Sequence, residues 1–455
     1  MSVRSLLTVP LLIAPLLAAS LAGAAEVTLR PVLSPAVSAL LQRPPSPAHT
    51  GLLVRDLTTG KVVEASRPDE LFTPASTLKI VSMAARLSQS GPQAWYSADV
   101  TASAAEVNGK ASALSSVTLR GGGDPSFSIQ GRYSLAALAK QLSAKGIKSV
   151  GEVRLAPTVD SSTWPALPLG TPVVAVRLSE YPGWNDTAER YAERVISAFE
   201  GQLRAAGIQV GGGQSSSLGH VVGQAAVQQF GSVIPGASPP LPAPPPELGL
   251  ATVRSQPLIE LAKQTLKPSD NVWAEQIAAE LGSKVAGNGA VTHAGMVAGL
   301  RAFLTKVGVN AAPMSLNDAS GLSGGNRLTP RSLVTVLSRM YDLPITASKT
   351  PITPLDAFTQ RKNLFIEALP RGATGEASAE ARALGGTLAG RFVGSGLDVR
   401  AKTGTLPGVS SLAGYVRGKS GHVLAFALMM DQAPGNTLDL RAYQDRMVKV
   451  IAQNH

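Results

Sequence analysis

The sequence predicts a two-part α/β protein: an antiparallel sheet flanked by helices and formed by the two ends of the chain, interrupted by an inserted α/β region. Three observations predict it. Near the N-terminus, Gly51-Leu-Leu-Val-Arg-Asp-Leu-Thr-Thr-Gly-Lys-Val-Val places two strand-like runs around a Thr-Thr-Gly-Lys turn, which is a hairpin signal. Near the C-terminus, Ser410–Arg417 and His422–Met430 flank Gly-Lys-Ser-Gly in the same way. Between the two ends, helical and strand-like segments alternate with their own glycine and proline punctuation.

Each element has a local reason. Ser34 followed by Pro35 reads as a helix cap and a first-turn proline, opening a short helix over 34–41. Thr437–Ala452 carries Leu438, Leu440, Tyr443, Met447, Val450 and Ile451 at helical spacing, so a second terminal helix is expected to cover the shared sheet. In the middle, Ser134–Lys145 is helical and stopped by Gly146, and Ser149–Leu155 is strand-like. Ala188–Ala206 is helical again, with a strand-like Ile208–Val210 after Gly207. Pro235 to Pro246 is proline-dense, hence stiff and extended, and reads as an exposed connector closing the insertion.

The chain has 455 residues, 44% hydrophobic and 16% charged, ample for more than one core. Met1-Ser-Val-Arg, an apolar run from Leu6 to Ala22 and the small residues Ala22-Gly23-Ala24 read as an export signal over 1–24. The sequence has no cysteine, so an exported product must be held together by packing, and no lipid can be attached through that residue. Net charge is +11, which suits an anionic cell envelope and at most peripheral contact with membrane or wall polymer. The basic residues are dispersed and lack interleaved aromatics, which argues against nucleic acid.

Chemistry is concentrated in three short motifs in fixed order: Ser76-Thr-Leu-Lys79, Ser269-Asp-Asn271 and Lys402-Thr403-Gly404. Each alone is weak; the ordered set marks a serine acyl-transfer site. Ser76 opens a helix after Pro74, and Lys79 falls on the same face one turn on, where its amine can reach the hydroxyl. A lysine acts as general base only with a depressed pKa, through desolvation and a second cation, for which Lys402 is the candidate. Ser269 and Asn271 sit at a helix start, Ser269 to relay a proton to the leaving group and Asn271 to bind the substrate amide. Lys402 and Thr403 lie on a strand and suit a substrate carboxylate, while Gly404 allows close approach to the strand edge. The backbone N–H groups of Ser76 and Thr405 are the candidate oxyanion hole. No metal or cofactor is called for: the five histidines show no paired ligand spacing. The glutamate that a class A β-lactamase needs near Leu316-Asn317 is missing.

These motifs, with Gly-Gly-Gly-Asp-Pro-Ser at 121–126, Asp-Ala-Ser-Gly-Leu-Ser at 318–323 and Ala-Lys-Thr-Gly-Thr-Leu at 401–406, resemble the class C low-molecular-mass penicillin-binding proteins of the peptidase S13 family. Ala319 and Gly324 depart from the family phrase, residues 164–186 match the family poorly and residues 372–382 look like an extra loop, leaving Trp184 and Asp186 as candidates only. The resemblance implies a penicillin-recognising transpeptidase/β-lactamase-like domain over 25–98 plus 251–455, with a subdivided α/β insertion over 99–250. It also implies D-Ala–D-Ala carboxypeptidase or endopeptidase action on peptidoglycan peptides, and β-lactams as inhibitors. A non-catalytic wall-binding protein is the rival from another class, and none of the five side chains that would have to be lost is missing.

Overall fold

The computed structural model describes residues 32–165, 170–211 and 246–455, apart from 288, 344, 347–349, 374–377 and 435–436. The export signal and all but the last proline of the connector lie outside the described residues, as does part of 372–382.

The terminal segments build one five-stranded sheet. Its strands are β1 (His49–Asp56), β2 (Val62–Ser66), β8 (Val399–Leu406), β9 (Val409–Arg417) and β10 (Val423–Asp431), ordered β2-β1-β10-β9-β8 and antiparallel throughout. The first and last strands of this sheet in chain order meet directly, with His49 opposite Asp431 and Asp56 opposite Leu424. Strand β10 shows why its sequence is an unbroken apolar run. Leu424, Phe426, Leu428 and Met430 point into one core and Val423, Ala425, Ala427 and Met429 into another. Successive side chains of a strand face opposite sides, so a strand covered on both faces has no place for alternation.

One face packs under helix α1 (Pro35–Leu41), capped by Ser34 with Pro35 in its first turn, and under the C-terminal helix Thr437–Asn454. The other face packs against α2 (Leu78–Ser90) and the helices Leu258–Leu266, Asn271–Ala279, His293–Lys306 and Pro330–Asp342. Helix α2 is buried from Leu78 to Leu87, so it runs through the interior rather than over the surface.

A second five-stranded sheet runs from β3 (Ser97–Ser103) and β4 (Ala113–Gly121) through β5 (Ser149–Leu155) and β6 (Gln209–Val210) to β7 (Glu247–Arg254), ordered β6-β5-β4-β3-β7. Parallel pairing of β4, β5 and β6 needs crossovers, supplied by α4 (Leu135–Ala144) and α5 (Ala188–Ala205), whose apolar faces share a core with that sheet. A single-turn helix α3 (Ala104–Asn108) joins β3 to β4. No helix among the described residues is long and apolar enough to cross a membrane.

Candidate active site

The three sequence motifs converge at one place. Ser76 lies in a single 3₁₀ turn, Ala75–Thr77, that runs straight into α2. Thr77 clamps the turn by donating its hydroxyl to the Pro74 carbonyl at 2.6 Å. Lys79, in the first turn of α2 and fully buried, places Nζ 2.9 Å from Ser76 Oγ. The amine also donates to Asn271 Oδ1 at 2.5 Å and to the Ser320 carbonyl at 2.8 Å. Three acceptors around one nitrogen fix its position and aim it at the serine.

Burial lowers the Lys79 pKa to about 8, while the carboxylates of Glu275, Asp318 and Asp270 oppose a further fall. Of the two causes expected from the sequence, desolvation is the main one. Lys402 is itself fully buried, and burial together with the Lys79 charge pushes its pKa well below the usual lysine range.

Asp270, between the two proposed functional residues, takes the helix cap by accepting from Trp273 N. This leaves the Asn271 amide, in the first residue of the helix, to reach Lys79. Ser269 precedes the cap with φ +67, and Ala75 precedes Ser76 with φ +46. Left-handed backbone at a residue with a Cβ costs of order 1–3 kcal/mol and persists where surrounding contacts over-determine it.

Lys402, Thr403, Gly404 and Thr405 occupy β8, the edge strand beside the nucleophile turn. Lys402 Nζ donates to its neighbour's carbonyl, Thr403 O, at 2.8 Å. The sequence reading gave Gly404 to an approaching substrate, yet its nearest constraint is the protein itself. A Cβ there would stand 2.6 Å from the Pro74 carbonyl and 3.1 Å from the Ser76 nitrogen. Strand β8 thus packs backbone to backbone against the turn that carries Ser76, with the Ser76 and Thr405 amides on adjoining segments.

Four further contributors were not apparent from the motifs. Glu275, one helical turn beyond Asn271, is buried and accepts from Ala319 N and Ser320 N. Asp318 accepts from Gly321 N, Ser323 N and Asn326 Nδ2 and folds the 318–323 loop around itself. Lys267 spans from the second motif to the opposite wall, donating to the Leu369 and Leu384 carbonyls at 2.8 and 2.7 Å. Thr387, whose amide bonds the Lys267 carbonyl, accepts from the Thr403 hydroxyl at 2.8 Å. Glu275 has a helical-spacing signal, four residues after Asn271, and Asp318 opens the 318–323 phrase and is bound by its own loop, whereas Lys267 and Thr387 depend on chain segments remote in sequence. Of the insertion candidates, Trp184 is exposed and Asp186 is paired with Arg194 at 3.3 Å.

Gly321 has φ +82, and a Cβ there would stand 1.8 Å from the Ala75 carbonyl. A methyl group must displace the nucleophile turn, and the left-handed conformation also disfavours it. Gly321→Ala protein is expected to melt below the parent in calorimetry and to lose at least about tenfold in penicillin labelling rate, since misplacement of about 1 Å can cost on the order of a hundredfold.

With this geometry in view, the comparisons with known proteins fall into line. The model of the D-Ala-D-Ala carboxypeptidase 3 (S13) family matches residues 33–169 and 224–454, and the chain belongs to that family. It is 29% identical to a D-alanyl-D-alanine carboxypeptidase of Actinomadura sp., over 93% of this chain and 86% of that protein. It is likewise 29% identical to a carboxypeptidase of Mycobacterium tuberculosis, over 84% and 76% of the two chains. Among solved structures, penicillin binding protein 4 of Haemophilus influenzae superposes with a TM-score of 0.64 at 18% identity, covering 92% of this chain and 99% of that one. That likeness shows the fold expected from the sequence.

Proposed function

We propose that the chain is an exported serine-type D-Ala–D-Ala carboxypeptidase, D-alanyl-D-alanine endopeptidase or both, acting on peptidoglycan stem peptides through an acyl-enzyme on Ser76. The observation that carries this reading is the buried Lys79 amine, 2.9 Å from the Ser76 hydroxyl with its pKa lowered to about 8. In its neutral form Lys79 accepts the Ser76 proton as Oγ attacks the carbonyl carbon of the scissile amide. The developing oxyanion is taken by the Ser76 and Thr405 amides. Ser269 passes a proton to the departing nitrogen, and Asn271 holds both the substrate amide and the Lys79 amine. Water then cleaves the ester and returns Ser76 to its starting state. β-Lactams follow the first half of this path, because the strained ring presents an amide at the same place.

Further features support the setting. The S13 family and its carboxypeptidase relatives support a substrate ending in D-Ala–D-Ala, and the apolar run over Leu6–Ala22 supports export with removal of residues 1–24. Separate cores on the two sheets support a transpeptidase-like unit over 25–98 plus 251–455, interrupted by an inserted region over 99–250. Incubation with penicillin followed by peptide mass mapping tests the central claim: one adduct is expected, on the peptide carrying Ser76. An adduct on another residue overturns the assignment.

Lys402, with Thr403 and Gly404 beside it, is assigned to the free carboxylate of the terminal D-alanine or of penicillin. A charge-assisted hydrogen bond is worth ~1.5–3 kcal/mol, so Lys402→Gln is expected to lose roughly ten- to a hundredfold in acylation efficiency. The loss belongs to substrates with a free carboxylate and is small for the corresponding amides, which have no anion for Lys402 to hold. Measuring both substrate types on both proteins isolates the interaction. Equal losses leave Lys402 with an indirect role only.

A further inference from the structure

We infer that Glu275 is a positioning residue for this site: its buried carboxylate holds the Ala319 and Ser320 amides and thereby fixes the Ser320 carbonyl, one of three acceptors that aim the Lys79 amine at Ser76. The inference rests on the reading of Lys79 as the base that activates Ser76.

The geometry is that of a single rigid strut. Glu275 and Asn271 are four residues apart on one helix, hence on one face of it. At one end of that face the Asn271 side chain accepts from Lys79 Nζ directly. At the other, Glu275 Oε1 accepts from Ala319 N at 3.0 Å and from Ser320 N at 2.8 Å, with Oε2 also 3.1 Å from Ala319 N. The next link returns to the lysine, because the Ser320 carbonyl accepts from Nζ at 2.8 Å. Helix Asn271–Ala279 therefore sets two of the three acceptors of the amine, one through a side chain and one through the backbone it grips. The nucleophile helix closes the loop from its own side: Ser82, one turn after Lys79 on α2, donates its hydroxyl to the Ala319 carbonyl at 2.6 Å. The Ala319–Ser320 segment is thus held by Glu275 through its N–H groups and by Ser82 through a carbonyl.

A carboxylate at this point does more than an amide could. Glu275 is 1% exposed, and its charge bears on the Lys79 amine. The charged groups facing Lys79 are Glu275 and Asp270 from the helix beside it, Asp318 from the loop and Lys402 from β8. Burial and the nearby Asp318 raise the Glu275 pKa, while the bonds from the Ala319 and Ser320 amides favour its ionised form. Removing that negative charge weakens the protonated form of Lys79. Since the neutral amine is the reactive form, the acidic limb of the acylation profile must then move to lower pH.

Two substitutions separate position from charge. Glu275→Asp keeps the charge and withdraws it by one methylene, so the limb should stay in place while penicillin acylation slows roughly ten- to a hundredfold, the range that about 1 Å of misplacement produces. Glu275→Gln keeps an oxygen acceptor and removes the charge, so its limb should move down by about one pH unit, the lower end of what a neighbouring charge does to a pKa. Ser82→Ala serves as the reference for loosening the same segment without altering charge, and its limb should not move. Labelling of the parent protein on Ser76 reports separately on the underlying acyl-enzyme reading. If the parent is labelled and Glu275→Asp reacts at the parent rate, the positioning role is wrong. A folded Glu275→Gln protein with an unmoved limb is equally damaging, because a purely structural residue would slow the reaction at every pH alike. Should the Gln protein not fold, the Asp protein alone decides.

Discussion

Ser76→Ala protein is expected to fold and melt as the parent does and to form no covalent adduct with penicillin. The Ser76 hydroxyl is only partly buried, and the bond it forms is to the Lys79 amine, which keeps the Asn271 and Ser320 acceptors after truncation. Its loss removes the atom that becomes the ester oxygen while leaving α2 and its buried face intact. Intact-mass measurement after penicillin treatment gives the result directly, and a melting curve shows that the fold survives. An adduct on the alanine protein would move the nucleophile elsewhere. The three remaining motif hydroxyls, Thr77, Ser269 and Thr403, would then be the ones to map.

The second large effect is expected at Lys79. Removing a positioned general base costs roughly 10²–10⁴-fold, and Lys79→Ala should show a loss of that size in acylation rate. Lys79→Arg is the more informative change, because guanidinium keeps the positive charge but does not deprotonate near neutral pH. If the charge alone mattered the arginine protein would work; if proton acceptance matters it should be as slow as the alanine protein. The parent enzyme carries a matching pH signature. With the Lys79 pKa lowered to about 8, the neutral amine is scarce well below that pH and predominates above it. Acylation should therefore rise with pH and level off above about 8, and neither substituted protein should retain that limb. An arginine protein that acylates near the parent rate assigns proton transfer to some group other than Lys79.

Much of this molecule was legible before any coordinates. Pro35 after Ser34, the helix start at Ser269–Asn271, and the Gly-Lys-Ser-Gly turn between two apolar runs specify elements through interactions within a few residues. The Ser76–Lys79 contact belongs to the same class, since three-residue spacing on a helix brings the two side chains together. The three motifs named the candidate site residues because each gathers them within a few positions of the chain.

What the tertiary structure alone decided is how those groups are held. The acceptors on Lys79 come from 192 and 241 positions away, at Asn271 and Ser320. Glu275 shares a helix face with Asn271 by spacing, but its hold on the 318–323 loop appears only when that loop docks on it. Gly321 stood only as part of the 318–323 phrase and Gly404 as room for a substrate at the strand edge, and only the packing shows that both make room for the turn that carries Ser76. Desolvation and a second cation at Lys402 were both expected to lower the Lys79 pKa; the shift comes chiefly from the desolvation, and its extent is a property of the assembled core and not of the residue's neighbours in sequence. Local spacing sets which side chains share a helix face or a strand. Desolvation and contacts between remote segments arise only when the sheet of chain ends closes over α2, and those set the protonation and aim of the reactive amine.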